Sequence, residues 1–272
     1  MIHQRTRALA TAGGCAVFLL AILAAHHFFV PETLHTNLAL RNQPPGLSHL
    51  FGTDWMGRNM FLRTIAGLRL SLQTGLMAAA VSALLALFFG IAAGTLGGWV
   101  DGIISWLIDI FITLPHLVLL ILISFAFGGG LKGVTIAVAI SHWPRLARII
   151  RAETMQLKES QFIHHARCFG KTPWQIGRQH IMPHMVPQFF VGLLLLFPHA
   201  ILHEAGLTFV GLGLSPHEPA VGIILAEAMR HLSTGHWWLA VLPGAALLAM
   251  VKAFDMMGES MRVLLQPRTS QE

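Results

Sequence analysis

The stretch SQFIHHARCFGKTPWQIGRQHIMP, Ser160 to Pro183, cannot sit in a bilayer, yet long apolar segments flank it on both sides. It carries Arg167, Lys171 and Arg178 together with His164, His165 and His180. Its punctuation predicts two short helices meeting at a corner. The first runs from about Ser160 to Phe169 and stops at Gly170, a residue suited to the left-handed conformation that ends a helix. The second opens with Thr172 as N-cap, Pro173 at the first helical position and Gln175 three residues after the cap, a capping-box pattern. A polar elbow of this kind, slung between apolar segments, is a natural docking surface.

Working outward, the apolar segments become membrane spans. Hydrophobic residues make up 54% of the 272-residue chain, only 11% are charged, and mean hydropathy is +0.65. Runs of roughly 20 apolar residues recur, enough to cross a hydrocarbon core about 30 Å thick. Spans must satisfy their own backbone, so the expected fold is an all-α polytopic membrane protein with about six transmembrane helices. A formal charge of +6 would suggest nucleic acid in a soluble chain. Here it fits Lys and Arg concentrated in cytoplasmic loops, so no nucleic-acid partner is expected and membrane lipid is. Cys15 and Cys168 suggest neither a disulfide framework nor a zinc site.

In order, the first span covers about Ala8 to Val30 after a basic N-terminus, and residues 31–69 form a polar extracytoplasmic segment holding FGTDWMGRN, Phe51 to Asn59. The glycines and Asp54 suit a tight turn, and Arg58 a nearby carboxylate. The second span, about Leu70 to Leu96, is rich in Ala, Gly and Ser and should pack inside the bundle. A third span runs to about Phe127 with Asp109 and Pro115 inside it. The fourth starts near Val134, passes Ser141-His142-Trp143-Pro144 and merges into a basic helix with Arg145, Arg148 and Arg151 on one face. The fifth runs from about Val186 to Val210, an external loop follows to about His236, and a sixth span is broken near Pro243-Gly244. With both termini inside, twelve of the 18 Lys and Arg fall on the cytoplasmic side, as the positive-inside rule requires.

These residues resemble a known family. The elbow is similar to the conserved cytoplasmic loop of binding-protein-dependent ABC importer permeases: Glu-Ala-Ala, three residues, Gly, nine residues, Ile-x-Leu-Pro. Ala166, Gly170 and Pro183 match, whereas His164 and His165 stand where the family has Glu and the first Ala. The segment from Gly52 to Asn59 resembles the Gly-Thr-Asp-x-x-Gly-Arg-Asp motif of the dipeptide, oligopeptide and nickel branch, with Asn59 for the last Asp. VGLGLSP (Val210 to Pro216) and VKAFDMMGESMR (Val251 to Arg262) are also family-like.

The resemblance implies a type I importer fold in the bacterial inner membrane, with a core at 70–272 of five transmembrane helices that includes the coupling loop 158–183. It implies a homologous second permease, two cytoplasmic ATP-binding subunits and an extracytoplasmic solute-binding protein. ATP and Mg²⁺ would sit on the ATPases, with no cofactor on this chain. The coupling residues it points to are His164, His165, Ala166, Arg167, Gly170, Arg178 and Pro183.

Cargo is read from the histidines. A polar group at mid-membrane depth is expensive, so His142, His199, His203 and Glu204 should face helices or a water-filled path. HAILHEAG (His199 to Gly206) and Ser141-His142-Trp143 resemble the nickel branch, and imidazole suits nickel. The expected cargo is therefore nickel or a metal chelate, with His199 and His203 as metal ligands; short peptides are the alternative. His116, Met250, Met256 and Met257 are explained by packing. An enzyme is not expected. Gly170-Lys171-Thr172 mimics the end of a phosphate-binding loop, but the required earlier glycine is His165. An intramembrane metallopeptidase lacks the His-Glu-x-x-His spacing, and an ATP-independent carrier is the remaining rival.

Overall fold

Small residues decide the centre of the molecule. The computed structural model describes residues 2–29, 36–215 and 218–265, all of whose regular elements are helices. Val30, Pro31, Pro216 of the VGLGLSP stretch, and Pro267 and Arg268 lie outside the described residues. After α1 (Ile2–Phe29), α2 (Met60–Leu96) forms the axis and touches α1, α3, α5, α6, α9, α10 and α11, whose ranges follow. It starts at Met60 rather than near Leu70 because Asn59 caps it, its side-chain oxygen accepting the amides of Phe61 and Leu62 at 3.0 and 3.4 Å. Asparagine caps as well as the family's Asp does. Towards its other end, a Cβ on Gly90 would meet Ile150 at 2.8 Å, and one on Gly94 would meet Thr154 at 2.5 Å. Helix α6 lies against this seam because α2 has no side chain there.

The expected third span is two helices, α3 (Gly98–Thr113) and α4 (His116–Ala126), bent by 103°. Pro115 has no N–H to donate, and it drives Leu114 into extended backbone (ψ 140°). The fourth is likewise α5 (Gly130–Ser141) and α6 (Trp143–Lys158), separated by His142 alone. Pro144 there occupies the first turn of α6, where a missing N–H costs nothing. Both arginine–carboxylate pairs between α3 and α6 are made, Arg148 to Asp109 and Arg151 to Asp101, each with a 2.7 Å contact.

The elbow has its expected corner but not its expected second half. Helix α7 (Gln161–Cys168) ends in a Schellman turn: Lys171 N–H reaches the Ala166 carbonyl and Gly170 N–H that of Arg167, with Gly170 at φ +78°. The Thr172–Gln175 capping box forms in both directions and starts α8 (Pro173–Ile176). That helix is not short. It continues through a wide π turn, Gly177–Ile181, into α9 (Met182–Phe209), one 37-residue run from Pro173 to Phe209. In the π turn Met182 N–H reaches Gly177 O, making room for Pro183, whose ring would clash in a regular α turn.

The segment expected as an external loop holds a buried helix, α10 (Val221–Met229), and α11 (Trp238–Leu265) passes unbroken through Pro243. Four helices are long and apolar enough to cross a membrane alone, and the bent α3–α4 pair makes a fifth. The remaining expected crossing, α5 with α6, falls short because α5 has only 12 residues and α6 carries three arginines.

On the α10 side, the Gly-Thr-Asp motif folds into a closed corner. Asp54, 2% exposed, accepts the amides of Met56 and Arg58 at 2.9 Å, Arg58 Nε at 2.6 Å and Arg63 Nη1 at 3.1 Å. Glu227 of α10 forms an ion pair with Arg63 Nη2 at 2.7 Å, so the motif pins α2 to α10.

Candidate functional site

A cavity of about 580 Å³ opens between the α3–α4 bend, the α5–α6 break and the middle of α9. Its wall is mostly apolar, with His116, Ser141, His142, Arg145, His199 and His203 among its polar groups. Three of the histidines converge. Ring centroids lie 4.8 Å apart for His116–His142, 4.6 Å for His116–His203 and 5.2 Å for His142–His203. One nitrogen from each lies within 4.8 Å of the others.

Proline places two of these rings. His116 is the first residue of α4, just past Pro115, and His142 fills the break that Pro144 permits. There the His142 Nδ1–H donates to the Val138 carbonyl at 2.9 Å, with Ser141 Oγ also at 3.0 Å. That bond leaves Nε2 with its lone pair, and Nε2 of both His142 and His116 has no partner. His203 projects from α9 to complete the set.

Measured against the sequence reading, His142 and His203 are together, but the pairing of His203 with His199 is not what forms. His199 lies one turn away on the cavity wall, its ring Nδ1 donating to the Leu195 carbonyl at 3.2 Å. Glu204 does not line the cavity: it is 2% exposed and accepts hydroxyls from Ser71 at 2.9 Å and Thr208 at 3.1 Å. His116, attributed above to packing, takes the vacant place in the trio. Its signal was the proline at its side, since a ring at a helix break can turn into a cavity.

The elbow presents two faces. Ile163, Ala166, Ile176 and Ile181 are buried in the core shared with α2 and α6. Ala166 therefore packs inward, not towards a partner, and its small side chain lets α7 lie close. Outward point His164, His165, Arg167, Gly170, Arg178 and Pro183, joined by Phe169 (85% exposed) and Trp174 (61% exposed). Those two aromatics escaped the sequence reading because apolar residues in an amphipathic element read first as core.

Comparison with known proteins places the chain. Residues 86–271 match the family model described as binding-protein-dependent transport system inner membrane component. The chain belongs to this family. It is 37% identical over 237 residues to a putative peptide transport system permease protein of Brucella abortus, covering 87% of this chain and 79% of that one. It is 31% identical over 253 residues to the dipeptide transport system permease protein of Bacillus subtilis, covering 93% and 79%. The glutathione transport system permease protein of Pectobacterium atrosepticum is 33% identical over 227 residues, covering 84% and 75%. Among solved structures, the MetNI methionine ABC transporter superposes with TM-score 0.52 at 17% identity, covering 74% of this chain and 97% of that one. The fold is thus that of a type I importer permease, and the chain is a multi-pass inner-membrane component of an ABC importer.

Proposed function

We propose that this chain forms half of the path by which an ABC importer admits short peptides, and that its elbow receives the stroke of a partner ATPase. The observation that carries the reading is a single helical run. From Pro173 to Phe209 it holds the outward elbow face at one end and, at His199 and His203, the cavity wall further along. Gln175 and His199 are about 36 Å apart on such a helix. A shift imposed at the elbow therefore reaches the cavity through a rigid element, the kind of shear that alternating access needs. In this reading the termini and elbow are cytoplasmic. ATP and Mg²⁺ are held by two ATPase subunits, a homologous permease supplies the other half of the path, and a solute-binding protein delivers cargo from outside.

Peptides replace nickel as the leading cargo because the relatives reported above are named for peptides, dipeptides and glutathione. The second reading, a metal chelate, is kept by the histidine trio. A bulky residue at Gly170 tests the coupling. A Cβ there meets nothing of this chain within 4 Å, so beyond the left-handed backbone cost, which Gly170→Ala carries equally, added volume acts on whatever docks. Gly170→Trp should abolish ATP-driven uptake in reconstituted vesicles while leaving membrane insertion intact. Normal uptake by that variant refutes the docking role.

A further inference from the structure

Resting on the importer reading, we infer that His116, His142 and His203 form an exchangeable site for one borderline divalent cation, such as Ni²⁺, Cu²⁺ or Zn²⁺. The ion arrives complexed by a carboxylate-bearing short peptide, and Arg145 receives the carboxylate. The trio has the features of a ligand set. His142 is 8% exposed, with its Nδ1–H committed to a backbone carbonyl and its Nε2 lone pair unpartnered. Metal-bound imidazoles are held in this way, the carbonyl fixing both tautomer and ring orientation. His116 Nε2 is a second unpartnered nitrogen in the same cavity. Two buried nitrogens without partners are costly to fold around, and one cation satisfies both.

The nitrogens, within 4.8 Å of one another, need only small ring rotations to close on an ion at about 2.0–2.1 Å per bond. Three protein nitrogens leave a coordination position open, and the cavity beside them holds the ligand that fills it. Neutral imidazoles select d-block cations over Mg²⁺ and Ca²⁺, which prefer oxygen.

The cavity also says in what form the ion comes. No carboxylate joins the trio, since Glu204 is turned away to Ser71 and Thr208. Arg145, exposed on the same wall, makes no ion pair among the described residues. Among the lining residues the one carboxylate, Glu153, is outnumbered by two guanidiniums, so a bare dication meets neutral rings and a net repulsion from Arg262 and the unpaired Arg145. A chelate with its own carboxylate brings compensating charge and pairs with the Arg145 guanidinium, as Arg does with planar carboxylates. Peptide-type relatives and a metal-type ligand set then describe one cargo. Three neutral ligands also hold loosely, which a path requires and a storage site does not.

The test uses the complex purified with its partner subunits, titrated with NiCl₂ with and without glycylglycine, and with CaCl₂ as contrast. Expected are one bound Ni²⁺ per complex, tighter with the dipeptide, imidazole nitrogens at about 2.1 Å by X-ray absorption, and no competition from Ca²⁺. His116→Gln and His203→Gln should each weaken binding at least about tenfold, and His231→Ala, outside the cavity, should not. Arg145→Gln should erase the advantage of the dipeptide without weakening bare Ni²⁺. Absent binding, absorption spectra without imidazole, or full affinity in both histidine variants overturns the inference. ATP-driven uptake of radiolabelled glycylglycine by the same vesicles separates the two ideas. Uptake without metal binding removes only the metal site, whereas absence of ATP-driven glycylglycine uptake removes the peptide-cargo reading on which it rests.

Discussion

The corner at Gly52–Asn59 and the elbow at Ser160–Pro183 use the same local grammar to opposite ends. Each has a glycine at positive φ, Gly57 at +73° and Gly170 at +78°, and each ends in a side-chain helix cap, Asn59 and Thr172. In the corner the charged groups turn inward, and Trp55 alone of its large side chains is exposed, at 43%. Asp54 accepts bonds from its own turn and from two arginines, and the Thr53 hydroxyl takes the Gln43 amide at 2.9 Å. At the elbow the charged and aromatic side chains turn outward, and the backbone is held by caps and by four apolar residues beneath. A region that pairs its own charges is finished as folded. One that holds its backbone while exposing Phe169 and Trp174 is built to be covered by something else.

Breaking the corner should therefore cost stability, and breaking the elbow should cost coupling. Asp54→Ala leaves Arg63, 5% exposed, with only Glu227 to balance it. Removing one partner of a buried pair costs about 3–5 kcal/mol, so this variant should show the largest fall in thermal midpoint in detergent. A fall no larger than that of an exposed-pair variant such as Asp255→Ala would show that the corner is not a closed network. Gly57→Ala comes next. The left-handed backbone costs a non-glycine residue about 1–2 kcal/mol, and its Cβ would also strike the Asn37 carbonyl. Gly170→Ala bears the backbone cost alone because nothing lies within 4 Å. If the two alanine variants shift the midpoint equally, the contrast in packing has no energetic content.

What the sequence disclosed follows the same division. Caps, the Schellman glycine and the small-residue face of α2 are local patterns, and each appears at the residues that announced it. What it hid depends on distant parts of the chain. The corner's second carboxylate, Glu227, lies on a helix that sequence reading took for a loop, because α10 sits between glycine-rich and polar flanks. His116 and His142 meet only because two prolines break two different spans, and no spacing within either segment predicts that the breaks coincide. His199 and His203 share a helix face at i, i+4, which made them look like the pair; the cavity's shape assigns only His203 to the trio.

Thr172 gives the finest test of the contrast, since its effect on stability should be the smallest. Its hydroxyl accepts the Gln175 amide at 3.3 Å, while Gln175 Oε1 accepts the Thr172 amide at 2.9 Å. Thr172→Ala removes the first bond and leaves the second, costing about 1 kcal/mol. Both residues are exposed, so the loss frays the start of the 37-residue helix without opening the core beneath Ile176. The midpoint should barely move. Uptake should fall visibly, because a frayed first turn cannot pass a displacement from the elbow to α9. Thr172→Ser keeps the accepting oxygen and should restore it. Equal loss in the alanine and serine variants would mean that the threonine methyl touches the partner and that the cap is incidental; normal uptake in the alanine variant would mean that the lever begins beyond the first turn, at the π turn ahead of Pro183.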